Sequence, residues 1–252
     1  MQIRVVTYNI HHGKGTDRQL NLDRIANLLG ALNADIIGLN EIDRFFSRRS
    51  RYMDQVAFLA DKLKMNFAFG AAVTFRQKQA SMLRQYGSAV LTRHPIVFSK
   101  NHSYDRPGIW ESRALLETGI ELEGEQIRVF TTHLSLNPLS QKQQIYRMLE
   151  RISDTGEKPV IAMGDWNMKP GSKSWRTITG QLNDVCGLLG LNRKECATFP
   201  SFRPGFQLDY IFVSRHFQAV AAGPVRDISL ASDHLPLSAE LKMLQPNLTE
   251  QI

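Results

Sequence analysis

Val160-Ile161-Ala162-Met163-Gly164-Asp165-Trp166-Asn167 is the stretch that decides how the chain is read. Four apolar residues make a short strand, and a glycine then passes the chain to a carboxylate and an amide at its end. A strand terminus is a rigid place to mount a polar side chain. The same layout recurs along the sequence. Asn9 ends Arg4–Asn9, Glu41 follows Asp35–Leu39, and His133 follows Val129-Phe130-Thr131-Thr132. Asp209 lies at the head of Leu208–Val213, and Asp233 and His234 precede Leu235–Leu241. Taken singly, such residues read as turn or cap residues. Six strand edges furnished in this way read as one site.

Around these strands the periodicity predicts few helices. Leu22, Ile25, Ala26, Leu28, Leu29 and Leu32 keep helical spacing behind an Asn21 cap, and Val56, Leu59, Ala60 and Leu63 mark a second helix. A third is expected from Ser140, with Gln143 completing a capping box. Gly87–Thr92, Ile96–Ser99 and the pair Ala114–Leu122 and Gln126–Thr132, joined by Glu123-Gly124-Glu125, read as further strands. Ten or so short strands with few helices favour two packed sheets with helices outside over a single parallel sheet. One domain is expected over 1–244, with a polar tail over 245–252.

Composition narrows the classes. The chain has 252 residues, 42% of them hydrophobic and 22% charged, which is the range of an ordinary globular fold. No apolar run approaches the ~18–20 residues of a membrane span. Met1–Val6 reads directly as a strand and lacks the layout of a signal peptide, so a cytoplasmic protein is expected. Cys186 and Cys196 are read as free, reduced thiols. The formal net charge is +7, which fits either a solvated basic surface or an anionic partner. Arg44–Arg51 holds four cations, and no Asp or Glu lies between Asp61 and Asp105, where Lys62, Lys64, Arg76, Lys78, Arg84, Arg93 and Lys100 fall. These stretches read either as surface charge or as a basic rim.

Clustered carboxylates and amides suit a hard divalent cation, Mg²⁺ or Mn²⁺, and water attack on phosphorus. Zinc fits less well. There is no His-Glu-x-x-His, and His11 and His12, being adjacent, point to opposite faces if they continue the first strand. Neither a Gly-x-x-x-x-Gly-Lys loop nor a Gly-x-Ser-x-Gly elbow is present.

In order, Thr7-Tyr8-Asn9-Ile10, Leu39-Asn40-Glu41, Thr132-His133-Leu134, Gly164-Asp165-Trp166-Asn167, Leu208-Asp209-Tyr210-Ile211 and Ser232-Asp233-His234 resemble the endonuclease/exonuclease/phosphatase superfamily. The resemblance runs from Arg4 to about Leu241. It implies a four-layer α/β/β/α sandwich and a divalent-metal-dependent phosphoester hydrolase. By motif it assigns Glu41 as the principal metal ligand, with Asn9 and Asp233 beside it. Asp165 orients the attacking water, and Asn167 donates to a phosphate oxygen. His234 is the general base with Asp209 behind it, His133 is the second imidazole, and Arg113 contacts phosphate.

Two departures stand out. Asn40 replaces the usual Gln, and Arg84-Gln85 leave His133 without an acidic partner from the Tyr86 segment. Glu41-Ile42-Asp43-Arg44, Arg49-Ser50 and Asp54-Gln55 are similar to a bacterial branch related to the hydrolase domain of glycosylphosphatidylinositol-remodelling proteins. That similarity implies a small or lipid-headgroup phosphodiester in preference to DNA. A DNA nuclease is the alternative within the class, and a non-catalytic binding module is the alternative outside it. Substrate choice falls to the loops Arg44–Arg51, Thr74–Gln85 and Asn101–Trp110.

Overall fold

The computed structural model describes residues 1–76, 82–104, 112–226 and 230–244. Within these, two six-stranded mixed sheets carry the fold. The first is built from β1 (Gln2–Asn9), β2 (Ile36–Arg44), β3 (Asn66–Phe75), β4 (Arg84–Thr92), β11 (Phe217–Pro224) and β12 (Leu237–Met243), in the order β11-β12-β1-β2-β4-β3. The second is built from β5 (Ile96–Ser103), β6 (Ala114–Leu122), β7 (Glu125–His133), β8 (Val160–Asp165), β9 (Asn183–Asp184) and β10 (Asp209–Val213), in the order β5-β6-β7-β8-β10-β9. Each sheet has a parallel pair near its middle, β1 with β2 and β7 with β8. The helices are α1 (Leu22–Leu32), α2 (Gln55–Leu63), α3 (Pro138–Ser153), α4 (Lys173–Thr179) and α5 (Val185–Leu188).

The layering follows from strand parity. On β1, Val5 faces the opposite sheet, while Val6 and Tyr8 face α1 and α2. On β8, Ile161 and Met163 face between the sheets, while Val160 and Ala162 pack with Ile145 and Met148 of α3. A strand with both faces covered is apolar at every position, which is why these runs show no alternation. Three buried clusters therefore separate four layers: helices, sheet, sheet, helices. This is the α/β sandwich expected from the sequence. At its centre the sheets approach closely. A Cβ on Gly38 would lie 2.8 Å from Met163 Sδ.

Several local expectations are corrected. β2 does not stop at Leu39 but continues to Arg44 through a register shift between Leu39 and Ile42. The cap of α3 is Asn137, whose Oδ1 accepts from Leu139 N and Ser140 N with Pro138 in the first turn, and not the expected Ser140 box. Cys186 and Cys196 are not free. The turn after α5 brings their Cα atoms to 6.7 Å and joins them in a disulfide within the inter-sheet core. That pairing removes free thiols as a ground for a cytoplasmic setting. Several cations of these basic stretches pair within the chain. Arg44 forks onto Asp54, Arg49 forks onto fully buried Asp43, and Lys62 pairs with Asp23. Lys78, parts of two specificity loops and the 245–252 tail lie outside the described residues. No helix among the described residues is long and apolar enough to cross a membrane.

Candidate active site

Parity also places the site. His133, Asp165 and Asp209 occupy the same faces of their strands as Val129, Met163 and Ile211, the faces that build the inter-sheet core. They also lie side by side, His133 opposite Asp165 and Asp165 opposite Asp209 in register. On the facing sheet Asn9 sits opposite Asn40. Where the apolar core between the sheets ends, polar side chains replace it, and the sandwich opens there.

Two asparagines stitch the sheets across that mouth. Asn9 Nδ2 donates to Glu41 Oε1 at 3.0 Å and to Asp165 Oδ2 at 3.1 Å, while its Oδ1 accepts from His11 N. Asn40, fully buried, donates from Nδ2 to Ser88 Oγ and Thr132 O, and its Oδ1 accepts from Asp165 N at 2.8 Å. The shorter side chain noted in the sequence is thus a bracket between β2 and the ends of β7 and β8. Gly164 makes that bracket feasible. Its φ is +143°, and a Cβ there would lie 1.9 Å from Thr132 O. Only glycine fits.

Asp165 Oδ2 is the hub. Besides Asn9 it faces His133 Nε2 at 3.5 Å and His234 Nε2 at 3.7 Å. His234 Nδ1 lies 2.8 Å from Asp209 Oδ2, which also accepts from Thr198 Oγ1 at 2.6 Å. Burial pushes the Asp165 carboxyl upward, and the neighbouring Asp209 charge adds to this against the opposing His234. Burial disfavours the His234 cation, yet Asp209 and Asp165 outweigh it and raise His234 above its ordinary value. Both carboxylates favour a proton on the His234 ring.

His133 behaves differently. Burial first, then Arg113 and His234, hold it well below the usual histidine value. Arg113 Nη1 lies 3.1 Å from His133 Nδ1. A guanidinium only donates, so Nδ1 accepts and the ring proton sits on Nε2, facing Asp165. Among the described residues the Tyr86 segment brings no acidic partner to Nδ1, and a cation stands there instead. Tyr86, Ser88, Arg113 and His133 line a shallow pocket beside this ring. Asn167, at φ +47°, donates from Nδ2 to Leu134 O and from its backbone N–H to Asp165 Oδ1.

A second group lies on the first sheet. The strand parity of Glu41 would aim it toward the helices, but the bulge at φ +61° turns it to Asn9. Bulges beside functional sites re-aim side chains in this way. The chain leaves β1 after Asn9 and makes a 3-10 turn over His11–Gly13, with His11 and His12 both at φ +45°. Left-handed backbone breaks the alternation assumed from the sequence, and both rings come to Glu41. One ligand atom from each of the three lies within 4.8 Å of the others. Asp233 Oδ1 stands 3.7 Å from His11 Nδ1. Burial, together with Arg49 and His11, lowers His12 to about 4. The sequence reading passed over His11 and His12 as ligands. The signal that could have found them is Gly13, which sits at φ +78° where a Cβ would meet Leu22 Cδ2 at 2.7 Å, so the strand cannot continue through it.

The donor set fits a divalent cation on two counts. Glu41 on the β2 bulge, the imidazoles on the turn after β1 and Asp233 on the loop before β12 converge, and buried His12 Nδ1 lacks a hydrogen-bond partner among the described residues. Asp165, Asp209 and His234 also lie within ligand distance of one another, but they largely satisfy one another.

Comparison with known proteins places this geometry. Residues 6–234 match the model of the Endonuclease/Exonuclease/phosphatase family. The chain is 28% identical to the uncharacterized protein YbhP of Escherichia coli, over 95% of this chain and 96% of that one. An endonuclease/exonuclease/phosphatase structure from Beutenbergia cavernae superposes with a TM-score of 0.80 at 24% identity, covering 96% of this chain and 72% of that one. A mannosyl-6-phosphatase from Bacteroides thetaiotaomicron gives 0.75 at 18% identity, covering 96% of this chain and 100% of that one. The human Nocturnin catalytic domain with bound sulfate gives 0.71 at 20% identity, covering 96% and 94%. With a family match spanning nearly its whole length, the chain belongs to the endonuclease/exonuclease/phosphatase family.

Proposed function

We propose that the protein is a divalent-metal-dependent phosphoesterase, a phosphodiesterase acting on a small or lipid-headgroup phosphodiester by water attack. The observation that carries this is the register of His133, Asp165 and Asp209 on one sheet, with Asn9 joining Asp165 to Glu41 on the other. Glu41, Asp233 and the neighbouring donors would hold Mg²⁺ or Mn²⁺, whose charge neutralises the phosphate oxygens.

The chain's own residues do the rest. Asp165 Oδ2 orients the water and takes its proton, and His234, whose Nε2 faces the same oxygen, accepts it only after losing its own Nε2 proton. Asp209 fixes the His234 tautomer through Nδ1. His133, neutral with its proton on Nε2, offers a hydrogen bond to the leaving or bridging oxygen without giving up that proton, and Arg113 and Asn167 bind phosphate oxygens. General acid–base help contributes about 10²–10⁴-fold. Phosphate-ester hydrolases reach accelerations of up to about 10²¹-fold. Electrostatic stabilisation by fixed charges and donors therefore carries most of the barrier reduction. The pairing of Arg44 and Arg49 with internal carboxylates leaves those two cations less suited to tracking a nucleic-acid backbone.

A panel in Mg²⁺ and in Mn²⁺ tests the reading: an aryl phosphodiester, an aryl phosphomonoester, phospholipid headgroup diesters and supercoiled plasmid. Diester turnover that Glu41→Ala and His234→Ala both abolish is expected. Plasmid nicking with no small-diester turnover makes the protein a nuclease. A protein that turns over nothing and binds neither cation is a binding module.

A further inference from the structure

The two imidazoles beside Glu41 are more than an all-oxygen Mg²⁺ site requires. We infer that His11, His12 and Glu41 form a three-ligand site for a divalent transition cation of the zinc class at the mouth of the candidate active site. The inference rests on the proposed function for Glu41 as a ligand and changes which cation Glu41 prefers.

Three observations carry it. First, the ligand atoms of all three residues already lie within 4.8 Å of one another. Zinc bound at about 2.0–2.1 Å from imidazole nitrogen and carboxylate oxygen needs ligands about 3.4 Å apart, so the rings close by little more than an ångström. His11 is a third exposed and has room to move. Second, His12 is more than nine-tenths buried, and its Nδ1 is sealed from solvent with no hydrogen-bond partner. A buried structural histidine normally bonds to a backbone or side-chain group. This ring instead meets His11 edge-on at 4.5 Å, in the cluster with Glu41. Third, the turn is built to hold the rings there. Gln55, fully buried, donates from Nε2 to His12 O at 2.7 Å, and its Oε1 accepts from Asp43 N at 3.0 Å. That ties the turn to β2 just beyond Glu41. Asp233 stands beside His11, where a carboxylate orients a ligand imidazole.

The donor chemistry selects the ion. Imidazole suits zinc, iron and nickel, whereas Mg²⁺ takes oxygen ligands and keeps its waters. Three protein ligands also leave a position open, as in catalytic rather than structural zinc sites.

The test is calorimetric titration of the metal-stripped full chain with Zn²⁺ and, separately, Mg²⁺, together with the visible spectrum of the Co²⁺-loaded protein. The expected result is one Zn²⁺ bound far more tightly than Mg²⁺, and Co²⁺ bands typical of nitrogen ligation. His12→Asn should weaken Zn²⁺ by more than about 100-fold, because losing even an outer partner of a ligand costs about 10–100-fold. The same variant should lose the Co²⁺ bands. His11→Ala, at a more exposed position, repeats the test where folding is not at risk, and thermal melts of both variants check the fold. Equal Zn²⁺ affinity in wild type and both folded variants overturns the inference, as does a wild type that prefers Mg²⁺. If such a protein still hydrolyses esters in Mg²⁺, the proposed function survives alone. Zinc binding lost in both variants of a protein that hydrolyses no ester supports the inference and removes the hydrolase reading instead.

Discussion

The Asp165–Asp209–His234 group and the His11–His12–Glu41 group face one mouth, yet they are built in opposite ways. The first puts Asp165 and Asp209 at regular strand ends and His234 on the loop before β12, is almost wholly buried, and is held largely by its own hydrogen bonds. The second stands on a bulge and a left-handed turn, is partly exposed, and leaves an imidazole nitrogen unpaired. Left-handed backbone on non-glycine residues costs on the order of 1–3 kcal/mol each and persists where the surroundings over-determine it. The contrast divides the labour. One group holds its imidazole between two carboxylates, the arrangement the proposed proton relay needs, and leaves Asp209 Oδ1 unpaired among the described residues. The other is a polar cradle that a cation would complete.

The largest effect should come from the cradle's carboxylate. Glu41→Ala is expected to lower phosphodiester turnover by at least about 10³-fold, since on the proposed reading a bound cation's charge would supply the dominant stabilisation. Its melting temperature should change little, because Glu41 is half-buried and alanine meets the same backbone strain at φ +61° that glutamate does. If Glu41→Ala instead unfolds the protein, Glu41 belongs to the scaffold and the contrast breaks. On the relay side, Asp209→Asn is expected to reduce turnover by about 10²–10⁴-fold by removing the carboxylate that sets the His234 tautomer. KM should barely move. A KM effect larger than the kcat effect would recast Asp209 as a binding residue.

Two substitutions test the stitching between sheets. Gly164→Ala should destabilise by about 3 kcal/mol or more, because a methyl would overlap the Thr132 carbonyl, which belongs to backbone and cannot swing away. Asn40→Ala should cost about 1–3 kcal/mol in chemical denaturation by leaving the buried Asp165 N–H unpaired. Turnover should fall with it. A stable but inactive Asn40→Ala would mean that the bracket positions Asp165 without holding the sheets together.

The smallest effect is a pH dependence outside the mouth. Burial raises the Asp184 carboxyl, against donations from Trp175 Nε1 and Cys186 N. A carboxyl raised on folding stabilises fully below its unfolded value near about 4. That stabilisation is lost as pH rises through the folded value. Asp184→Asn loses a hydrogen bond at every pH but not this pH-dependent part. The difference in melting temperature should therefore move in the variant's favour as pH rises from about 4 toward neutrality. A pH-independent difference would show that Asp184 titrates normally.

The relay was legible in the sequence because each member ends or opens an apolar run, and strand parity alone puts His133, Asp165 and Asp209 on one face. The cradle was legible only in Glu41 and Asp233. Adjacent His11 and His12 oppose each other on any regular strand, and the following Gly13 marks a turn without announcing left-handed φ at both histidines. β3 was not read because it is a half-exposed edge strand, with Phe67 and Phe75 on its outer surface and no clean alternation. The Cys186–Cys196 pair depends on how the chain turns after α5, which spacing alone does not set.

The most direct test of the central claim is hydrolysis of an aryl phosphodiester by the metal-stripped protein, before and after a divalent cation is restored, in wild type, Glu41→Ala and His234→Ala. The account predicts no turnover without metal, turnover on its return in wild type alone, and folded, inactive variants. Turnover that survives both metal removal and either substitution would contradict it.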